Sequence, residues 1–516
     1  MTETIERVIE RRPFIRLTSS ALAAAVAGCR PRESAAARRR TLIIATPMGE
    51  QGLVAIDSDD MRYLMFQPLL TLNDSGELEG RLADRWETSP DGREWTIHLR
   101  PGVRWHDGVP ITAHDVKFTM ELLSNPDADE ELGHDDIESM VVLDAATIRI
   151  RFLSWRRARG ALDGYEIVLP KHRLEGLDPK QYATWAFWKR PVGSGPYRFA
   201  RYVPQTMIQL DANPDYYRGK PRFERVVLKF TRAGMTELLS GGVDIVLHAN
   251  PARDTADAAW RVYPGIYGHQ LNCILWNNAH PILHDANVRR ALTLAINRRE
   301  LMRTLNLPDA FPILDGRFTS RQVRRGLLPE PLPHDPERAA TLLDAAGWSR
   351  VSNQGVRERD GRPFRLALLT SGEPAFTQVA VYVQEALRRV GVAIDLVPLD
   401  GGVATKRFQA GEFDAVLRPI PAGGWQRLFG AESLLGYRNA RVAQLIDRLP
   451  FATSEDDEEA IDVEMTRIFQ ADVPATILFT RVDTTLASRR IHGLSSPWKI
   501  NPIWAIDELS LDDGRH

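Results

Sequence analysis

The chain has 516 residues, which is more than one hydrophobic core usually serves, so two or three lobes are expected. Apolar residues make up 43% and charged residues 26% of it, as in an ordinary globular protein. Lysine and arginine number 66, and aspartate and glutamate number 68. This balance argues against nucleic acid as a partner, because phosphate binding requires a basic face.

The chain begins with the layout of an export signal. A segment containing Arg11 and Arg12 precedes an apolar run over residues 17–28, and Cys29 follows directly. The run is about a dozen residues long, whereas a helix that spans a bilayer needs roughly 20. Charged, apolar and small residues in this order are typical of a cleaved signal peptide. We therefore expect residues 1–28 to be removed, which leaves a net charge of about −3 on the remaining chain.

The residues around Cys29 indicate how the exported chain is held. Val26-Ala27-Gly28-Cys29 resembles the lipobox of bacterial lipoproteins, which implies a lipid on Cys29 and attachment to the membrane through that lipid alone. Residues 29–40 are polar, small and basic, which suits a flexible tether. Residues 11–16 resemble the twin-arginine export motif, although Glu10 stands where that motif usually has serine or threonine. Export by the twin-arginine or the general route stays open.

The two cysteines predict a protein without disulfides. If Cys29 carries a lipid, Cys273 has no partner. Because Cys273 lies in the apolar run 271–276, we expect a buried and unreactive thiol.

Local patterns predict interleaved strands and helices. Residues 41–46 are apolar and β-branched, and predict the first buried strand. Thr112 and Asp115 have the spacing of a capping box and predict a helix start. Strands alternating with helices along the chain indicate the α/β class.

Two more helices are indicated by their ends. Asp335 is expected to cap a helix whose first residue is proline, and Gly347 to end it. A further helix is predicted to begin at Asn287 and to close at the basic Arg298 and Arg299.

The motifs of enzyme and metal chemistry are incomplete. Gly193-Ser194-Gly195 lacks the third glycine of a dinucleotide loop and the flanking glycines of a nucleophile elbow. Gly219-Lys220 is followed by proline, which has no hydroxyl for magnesium. His280 and His284 are separated by a proline and lack the glutamate of a zinc protease. The sequence therefore predicts neither an enzyme nor a cofactor or metal site.

A series of landmarks resembles a known family. The stretch 82–123 contains an Asp91-Gly92 turn, the sequence His106-Asp107-Gly108 and the helix start at Thr112, and it resembles the signature of the family 5 extracellular solute-binding proteins. These are the peptide and nickel binding components of ABC importers. Further landmarks follow in family order at residues 192–197, 213–221, 285–301 and 335–347.

The resemblance implies a periplasmic binding protein type II-like α/β fold, with two lobes around a ligand cleft and an extra lobe. It places the first lobe in residues 41–57, 190–270 and 481–516, the extra lobe in 58–189, and the opposing lobe in 271–480. It also implies a monomer that captures a solute by closing its cleft and delivers it to permease subunits in the membrane.

Peptide-like solutes are the first expectation, and a nickel chelate, an oligosaccharide or an anionic opine-like compound are alternatives. In the peptide binders of this family, an aspartate after a tryptophan binds the peptide ammonium group. The matching stretch here has Trp425 and no aspartate near it in sequence, and Arg418 and Arg427 instead favour an anionic group.

Four further residues are predicted to contact the solute or to lie near it. Trp276, Asn277 and Asn278 end a strand near the expected crossover between lobes. Trp425 follows Gly423-Gly424, a pair that allows close approach of a ligand to the backbone.

Overall fold

The computed structural model describes residues 38, 40–47, 63–73, 77–125, 127–128, 137–162, 167–249, 260–305, 307, 311–372, 374–420, 424–494 and 502–511. The predicted signal peptide, with Arg11 and Arg12, and the predicted lipid site Cys29 lie outside the described residues. No helix in the described part of the chain is both long and apolar enough to cross a bilayer.

The described strands are β1 (Thr41–Thr46), β2 (Leu70–Leu72), β3 (Leu78–Gly80), β4 (Ala83–Thr88), β5 (Glu94–Leu99), β6 (Ile137–Asp144), β7 (Thr147–Phe152), β8 (Tyr197–Val203), β9 (Met207–Ala212), β10 (Arg225–Phe230), β11 (Ile245–Ala249), β12 (Trp260–Trp276), β13 (Arg350–Val351), β14 (Arg357–Arg359), β15 (Arg362–Pro363), β16 (Arg365–Ser371), β17 (Ala393–Leu399), β18 (Ala415–Ile420), β19 (Ala475–Ser488), β20 (Ile491–His492) and β21 (Ser510–Leu511).

The α-helices are α1 (Ala113–Leu123), α2 (Trp155–Leu162), α3 (Lys171–Leu174), α4 (Gly234–Leu239), α5 (Ala286–Leu294), α6 (Arg298–Thr304), α7 (Ser320–Arg325), α8 (Pro336–Ala345), α9 (Pro374–Arg388), α10 (Gly401–Gln409), α11 (Trp425–Phe429), α12 (Ala440–Arg448) and α13 (Glu455–Asp472). Short 3-10 helices occupy Pro179–Thr184, Ala186–Lys189, Leu449–Phe451 and Pro502–Glu508.

One ten-stranded sheet runs through the molecule in the order β17-β16-β18-β12-β19-β11-β1-β10-β9-β8. Its two longest strands, β12 and β19, are 17 and 14 residues long and pair with each other antiparallel. We call β1 and β8–β11 the first lobe, β16–β18 with the core around them the opposing lobe, and the four-stranded sheet β4-β5-β7-β6 with α1 and α2 the extra lobe.

The ladder between β12 and β19 changes register at two places, and the larger of these interruptions lies between Tyr267 and Leu271. It runs unbroken up to Tyr267, which lies opposite Arg481. It resumes at Leu271, which lies opposite Thr480. Residues 268–270 of β12 therefore have no register partner in β19 and form a bulge in the strand pair.

Two large buried cores lie on either side of this interruption. One is built from side chains between residues 271 and 478, on the opposing lobe. The other is built from residues between 42 and 247 and between 487 and 509, so the first and extra lobes share it. The residue boundaries given above for the three lobes stay a prediction.

A joint of close backbone contacts connects the extra lobe to the first lobe. His106 accepts a hydrogen bond at Nδ1 from the Gly193 amide (3.1 Å), and its Nε2 lies 3.0 Å from the carbonyl oxygen of Gly195. Since Nδ1 is the acceptor, we assign the proton to Nε2. Burial lowers the pKa of His106 to about 4, so the ring is neutral at pH 7. The Gly195 amide donates to Met65 O at 2.7 Å. The Gly-Ser-Gly motif is thus part of the structural joint.

Several sequence predictions of local structure are confirmed. Residues 41–46 form β1. The capping box of Thr112 and Asp115 begins α1. Asp335 caps α8, and Gly347 beyond its end has a φ of 87°. Cys273 is fully buried, and burial raises the pKa of its thiol far above the ordinary value.

The prediction of one helix from Asn287 to Arg299 is wrong. Asp285 caps α5 by accepting a hydrogen bond from the Asn287 amide, and this helix ends at Leu294. Asn297 then caps the separate helix α6, in which Arg298 and Arg299 are the first residues. The apolar spacing alone indicates one continuous helix. A side chain that caps a new helix ends the first helix before that spacing does.

Replacing Gly193 should destabilise the joint. A Cβ at this position would lie 1.8 Å from the carbonyl oxygen of Met65, which is backbone and cannot swing away. We expect Gly193→Ala to lower the free energy of unfolding by about 3 kcal/mol in urea titration. Gly401→Ala is the matched control, because a Cβ there meets nothing within 4 Å. Equal stability of the two variants would contradict this account of the joint.

Candidate functional site

In the first lobe, the carboxyl ends of the parallel strands lie toward the interruption in the β12–β19 ladder. β11 pairs antiparallel with β19, with Ile245 opposite Ala487 and Ala249 opposite Thr484. The carboxyl end of β11 therefore lies toward the interruption. β1 is parallel to β11, and β10 is parallel to β1, so their carboxyl ends lie at the same edge.

The register of the opposing lobe directs its strands toward the same place from the other side. β18 pairs antiparallel with β12, with Ala415 opposite Trp276 and Ile420 opposite Leu271. β16 is parallel to both β18 and β17, so all three carboxyl ends lie at the interruption. In open α/β sheets, ligands bind outside the carboxyl ends of the strands. The region between the two sets of strand ends is therefore the candidate binding cleft.

Arg418 lies at the cleft end of β18, where it is opposite Cys273 in β12. Its guanidinium carbon is 4.8 Å from the centre of the Phe408 ring. Burial and, second, the positive charge of Arg427 lower the pKa of Arg418. Within the described residues, no carboxylate forms an ion pair with Arg418 or Arg427. Two neighbouring cations without an anion, one of them half-buried, suit a ligand that carries negative charge.

Two hydroxyl groups without hydrogen-bond partners among the described residues lie at the same edge. One is the buried Oγ of Ser371, the last residue of β16. The other is Oγ1 of Thr480, opposite Leu271 at the interruption. Buried hydroxyls normally find a partner, and a bound solute or ordered water would supply one here.

Trp425 begins α11, just beyond the cleft end of β18. Its side chain is 5% exposed and packs against Phe429 and Phe469, with ring centres 5.1 and 5.6 Å away. The guanidinium carbon of Arg317 lies 5.9 Å from the indole centre. In this conformation Trp425 is thus part of an aromatic cluster, with a cation beside it that the sequence analysis missed.

Acidic side chains reach this cation from α13. Arg317 lies 3.4 Å from Asp462 Oδ1 and 3.6 Å from Glu458 Oε1. Asp462 is fully buried, and neither of its carboxylate oxygens has a hydrogen-bond partner in the described structure. Burial raises the pKa of Asp462 to about 6, although Arg317 opposes this effect. Only the packing of α13 on α11 could have revealed these acids, because they follow Trp425 by more than thirty residues.

Trp276 ends β12 on the opposing-lobe side, away from the interruption, and Asn277 and Asn278 follow it. Trp276 is 1% exposed, and its indole donates a hydrogen bond to Thr476 Oγ1. The side-chain amide of Asn277 donates to Phe413 O, and that of Asn278 to the carbonyls of Trp276 and Pro474. The expectation that these residues lie near the crossover is not met, because five residues of β12 separate Trp276 from Gln270. Their role as ligand contacts stays a prediction.

No group of three or more histidine, cysteine, aspartate or glutamate side chains in the described ranges could hold a metal ion. His280 instead lies 3.6 Å from Asp414, and His284 Nδ1 lies 2.8 Å from Pro281 O.

Comparison with known proteins gives a consistent family match. Residues 77–440 match the model of the bacterial extracellular solute-binding proteins, family 5. A Brucella ovis protein described as a peptide-binding protein of an ABC transporter is 30% identical over 340 residues, which is 64% of this chain and 62% of that protein. The chain thus spans less than two thirds of this relative. The oligopeptide-binding protein AppA of Bacillus subtilis is 25% identical over 462 residues, 82% of each chain.

Solved structures share the fold. The structure of NikZ from Campylobacter jejuni in complex with Ni(L-His) matches with a TM-score of 0.70 and 22% identity, over 92% of this chain and 99% of that one. AppA from Bacillus subtilis in complex with a nonapeptide matches with a TM-score of 0.67 and 20% identity, with the same coverage. The expected mixed α/β fold with two lobes is confirmed by these matches.

The buried Asp462 should give stability a distinctive pH dependence. Its pKa is higher in the folded chain, about 6, than the ordinary value of 3.8, so the folded state retains the proton more strongly. Its contribution to stability is present below pH 3.8 and is lost as the pH rises through 6. As the pH rises from 4 to 7, we therefore expect the unfolding free energy of Asp462→Asn to increase by about 3 kcal/mol relative to that of the wild type.

Urea titrations at several pH values measure this difference. Glu464→Gln, on the same helix, is the control with the opposite sign, because a hydrogen bond from Arg441 lowers the pKa of Glu464. Its deficit relative to the wild type should grow as the pH rises. If the unfolding free energies of Asp462→Asn and the wild type change with pH in parallel, burial does not raise the pKa of Asp462.

Proposed function

The chain belongs to the bacterial extracellular solute-binding proteins of family 5, and on that premise we propose that it is the substrate-binding component of an ABC importer that captures a peptide-like solute. The Brucella and Bacillus relatives, which are described as peptide-binding and oligopeptide-binding proteins, support this solute class. Its partners are the solute and the permease subunits in the membrane, and it acts as a monomer without a chemical step, cofactor or nucleic acid.

The observation that carries the proposal is the meeting of two sets of strand ends across one break in the β12–β19 ladder. Bending at residues 268–270 changes the distance between the two sets without breaking either core. A solute that contacts both lobes binds the closed form better and shifts the population toward it. The closed form is then the one that the permease receives.

The charge at the cleft supports a solute with an anionic group. Half-buried Arg418 has already lost part of its hydration, and Arg427 adds a second positive charge nearby. The terminal carboxylate of a peptide or an acidic side chain would complete this pair with charge-assisted hydrogen bonds. An ammonium group has no matching aspartate close to Trp425 in sequence.

The same two arginines favour one alternative solute class. A non-peptide solute, such as a nickel chelate, an oligosaccharide or an anionic opine-like compound, would keep the transport role. Among these, a compound with carboxylate groups would satisfy Arg418 and Arg427 as well as a peptide does.

We also propose that the chain is a lipoprotein held at the membrane through Cys29 after removal of residues 1–28. Residues 29–40 would then act as a tether, and Arg11 and Arg12 would direct export. Restriction of the binding protein to the membrane surface raises its effective concentration at the permease.

Native mass spectrometry of the purified chain is the test of the solute class. We expect a heterogeneous set of short peptides to be released on denaturation. A single carboxylated or sugar-bearing compound would move the protein to the alternative class. If no compound is released and no added solute produces the closed form, the transport role is contradicted.

Removal of the Arg418 side chain should weaken binding of the co-purified solute. We expect Arg418→Ala to raise the dissociation constant about tenfold or more, measured by calorimetry, because a charge-assisted hydrogen bond is lost in a partly buried site. The affinity of the wild type should also fall with salt, and that of the variant much less. Arg365→Ala is the matched control, because Arg365 begins β16 at the opposite edge of the sheet. Equal affinities of the wild type and Arg418→Ala would remove Arg418 from the site.

Replacement of Cys29 tests the anchor. We expect Cys29→Ala to move the chain from the membrane fraction to the supernatant and to abolish incorporation of radiolabelled palmitate. Cys273→Ala is the control, because its thiol is buried and should carry no lipid. Membrane retention of Cys29→Ala would show that another feature attaches the chain.

A further inference from the structure

Helix α2 of the extra lobe contacts the opposing lobe directly. This contact is separate from the connection that β12 and β19 make between the lobes. Ser154, just before α2, donates a hydrogen bond from Oγ to the carbonyl oxygen of Pro450 at 2.6 Å. Trp155 packs against the core of the opposing lobe. Ala158 and Leu162 of the same helix are buried in the core that the first and extra lobes share. Helix α2 therefore belongs to one core and touches the other.

Trp155 is held in place from its own lobe. A Cβ on Gly92 would lie 2.4 Å from Trp155 Cδ1, so the indole lies directly against the turn before β5. The extra lobe thus presents a fixed aromatic side chain to the opposing lobe, and contact with it depends on the relative position of the lobes.

Opposite charges face each other across this contact. Helix α2 has three arginines and no acidic residue, and the first turn of α13 has four acidic residues. Arg156 Nε lies 3.0 Å from Glu458 Oε1, and Arg159 lies 2.9 Å from Glu455 Oε1. Each ion pair joins an arginine of the extra lobe to a glutamate of the opposing lobe.

The two glutamates have a second partner within their own lobe. Arg321 lies 2.5 Å from Glu455 Oε2, and Arg317 lies 3.6 Å from Glu458 Oε1. If the lobes separate, both glutamates therefore keep a cation, and Arg156 and Arg159 become hydrated. Separation leaves no buried charge unpaired, so the contact can form and break at small cost.

We propose that the contact of α2 with α13 and with the 3-10 helix Leu449–Phe451 is an electrostatic latch that holds the lobes closed. This inference rests on the closure step of the proposed function, but it concerns the chain without solute. The latch residues come from α2, α13 and the 3-10 helix, and none of them comes from the strand ends that form the candidate cleft. We therefore expect them to change the population of the closed form.

Spin labels on the two lobes test the latch in the full chain without solute. Val141 of the extra lobe and Val351 of the opposing lobe are 50% and 58% exposed, and each is replaced by cysteine for labelling. Cys29→Ser removes the other reactive site, and Cys273 is buried. Double electron–electron resonance then gives the distribution of distances between the lobes.

We expect Arg156→Glu with Arg159→Glu to raise the ratio of open to closed molecules about threefold to tenfold. Sodium chloride at 1 M should produce a similar shift in the wild type and little further shift in the variant. Arg365→Glu is the matched control, because it breaks an exposed ion pair with Asp395 inside the opposing lobe. Its distances should equal those of the wild type.

Arg156→Gln with Arg159→Gln repeats the test without like-charge repulsion, and circular dichroism melting establishes that each variant is folded. The latch is overturned if the wild type has no short-distance population, or if the charge variants and the wild type give the same distances at both salt concentrations. Because no solute is present, these outcomes leave the test of solute binding unaffected.

Discussion

The antiparallel ladder between β12 and β19 is the constraint on which the rest of the structure depends. These two strands pass through both lobes, and the other strands of the ten-stranded sheet are added on one side or the other. The ladder therefore connects two cores, and closure as proposed requires that it also allow them to move. Residues 268–270, which have no partner in β19, meet both requirements, because bending there leaves the paired segments on either side intact. The proposed motion of the lobes is thus directed by the backbone, before any side chain is considered.

The position of the binding cleft follows from this register and from the direction of the strands added to it. Parallel strands on both sides end toward the break, which brings two sets of loops together where a solute can touch both. Arg418 lies toward the candidate cleft because β18 runs antiparallel to β12, and Trp276 lies at the opposite end of this strand pair for the same reason. Register is set by long-range pairing, so a sequence pattern that identifies both strands correctly still does not say which end faces the cleft.

Local structure could be predicted from the sequence wherever a side chain forms a hydrogen bond with a backbone group only a few residues away. The capping box at Thr112 and the Asp335 cap are of this kind. The pair Asp285 and Asn297 shows the limit, because both positions suit a cap and the apolar spacing does not separate one helix from two. The family landmarks at His106 and Gly193 identified the fold because they form its joint. Their hydrogen bonds within the chain also explain why they carry no information about the solute.

Asp462 lies where the buried charges of the opposing lobe meet the contact with the extra lobe. The charged groups around it are Arg317 and Glu458, followed by Arg156 and Glu459. Arg156 is the one of these that comes from the extra lobe, and it lowers the pKa that burial raises. This carboxylate therefore depends on cations from both sides of the contact between the lobes, Arg317 from its own lobe and Arg156 from the extra lobe. The contact of α2 with α13 thus contributes to the charge environment beside the Trp425 cluster, where Arg317 lies over the indole.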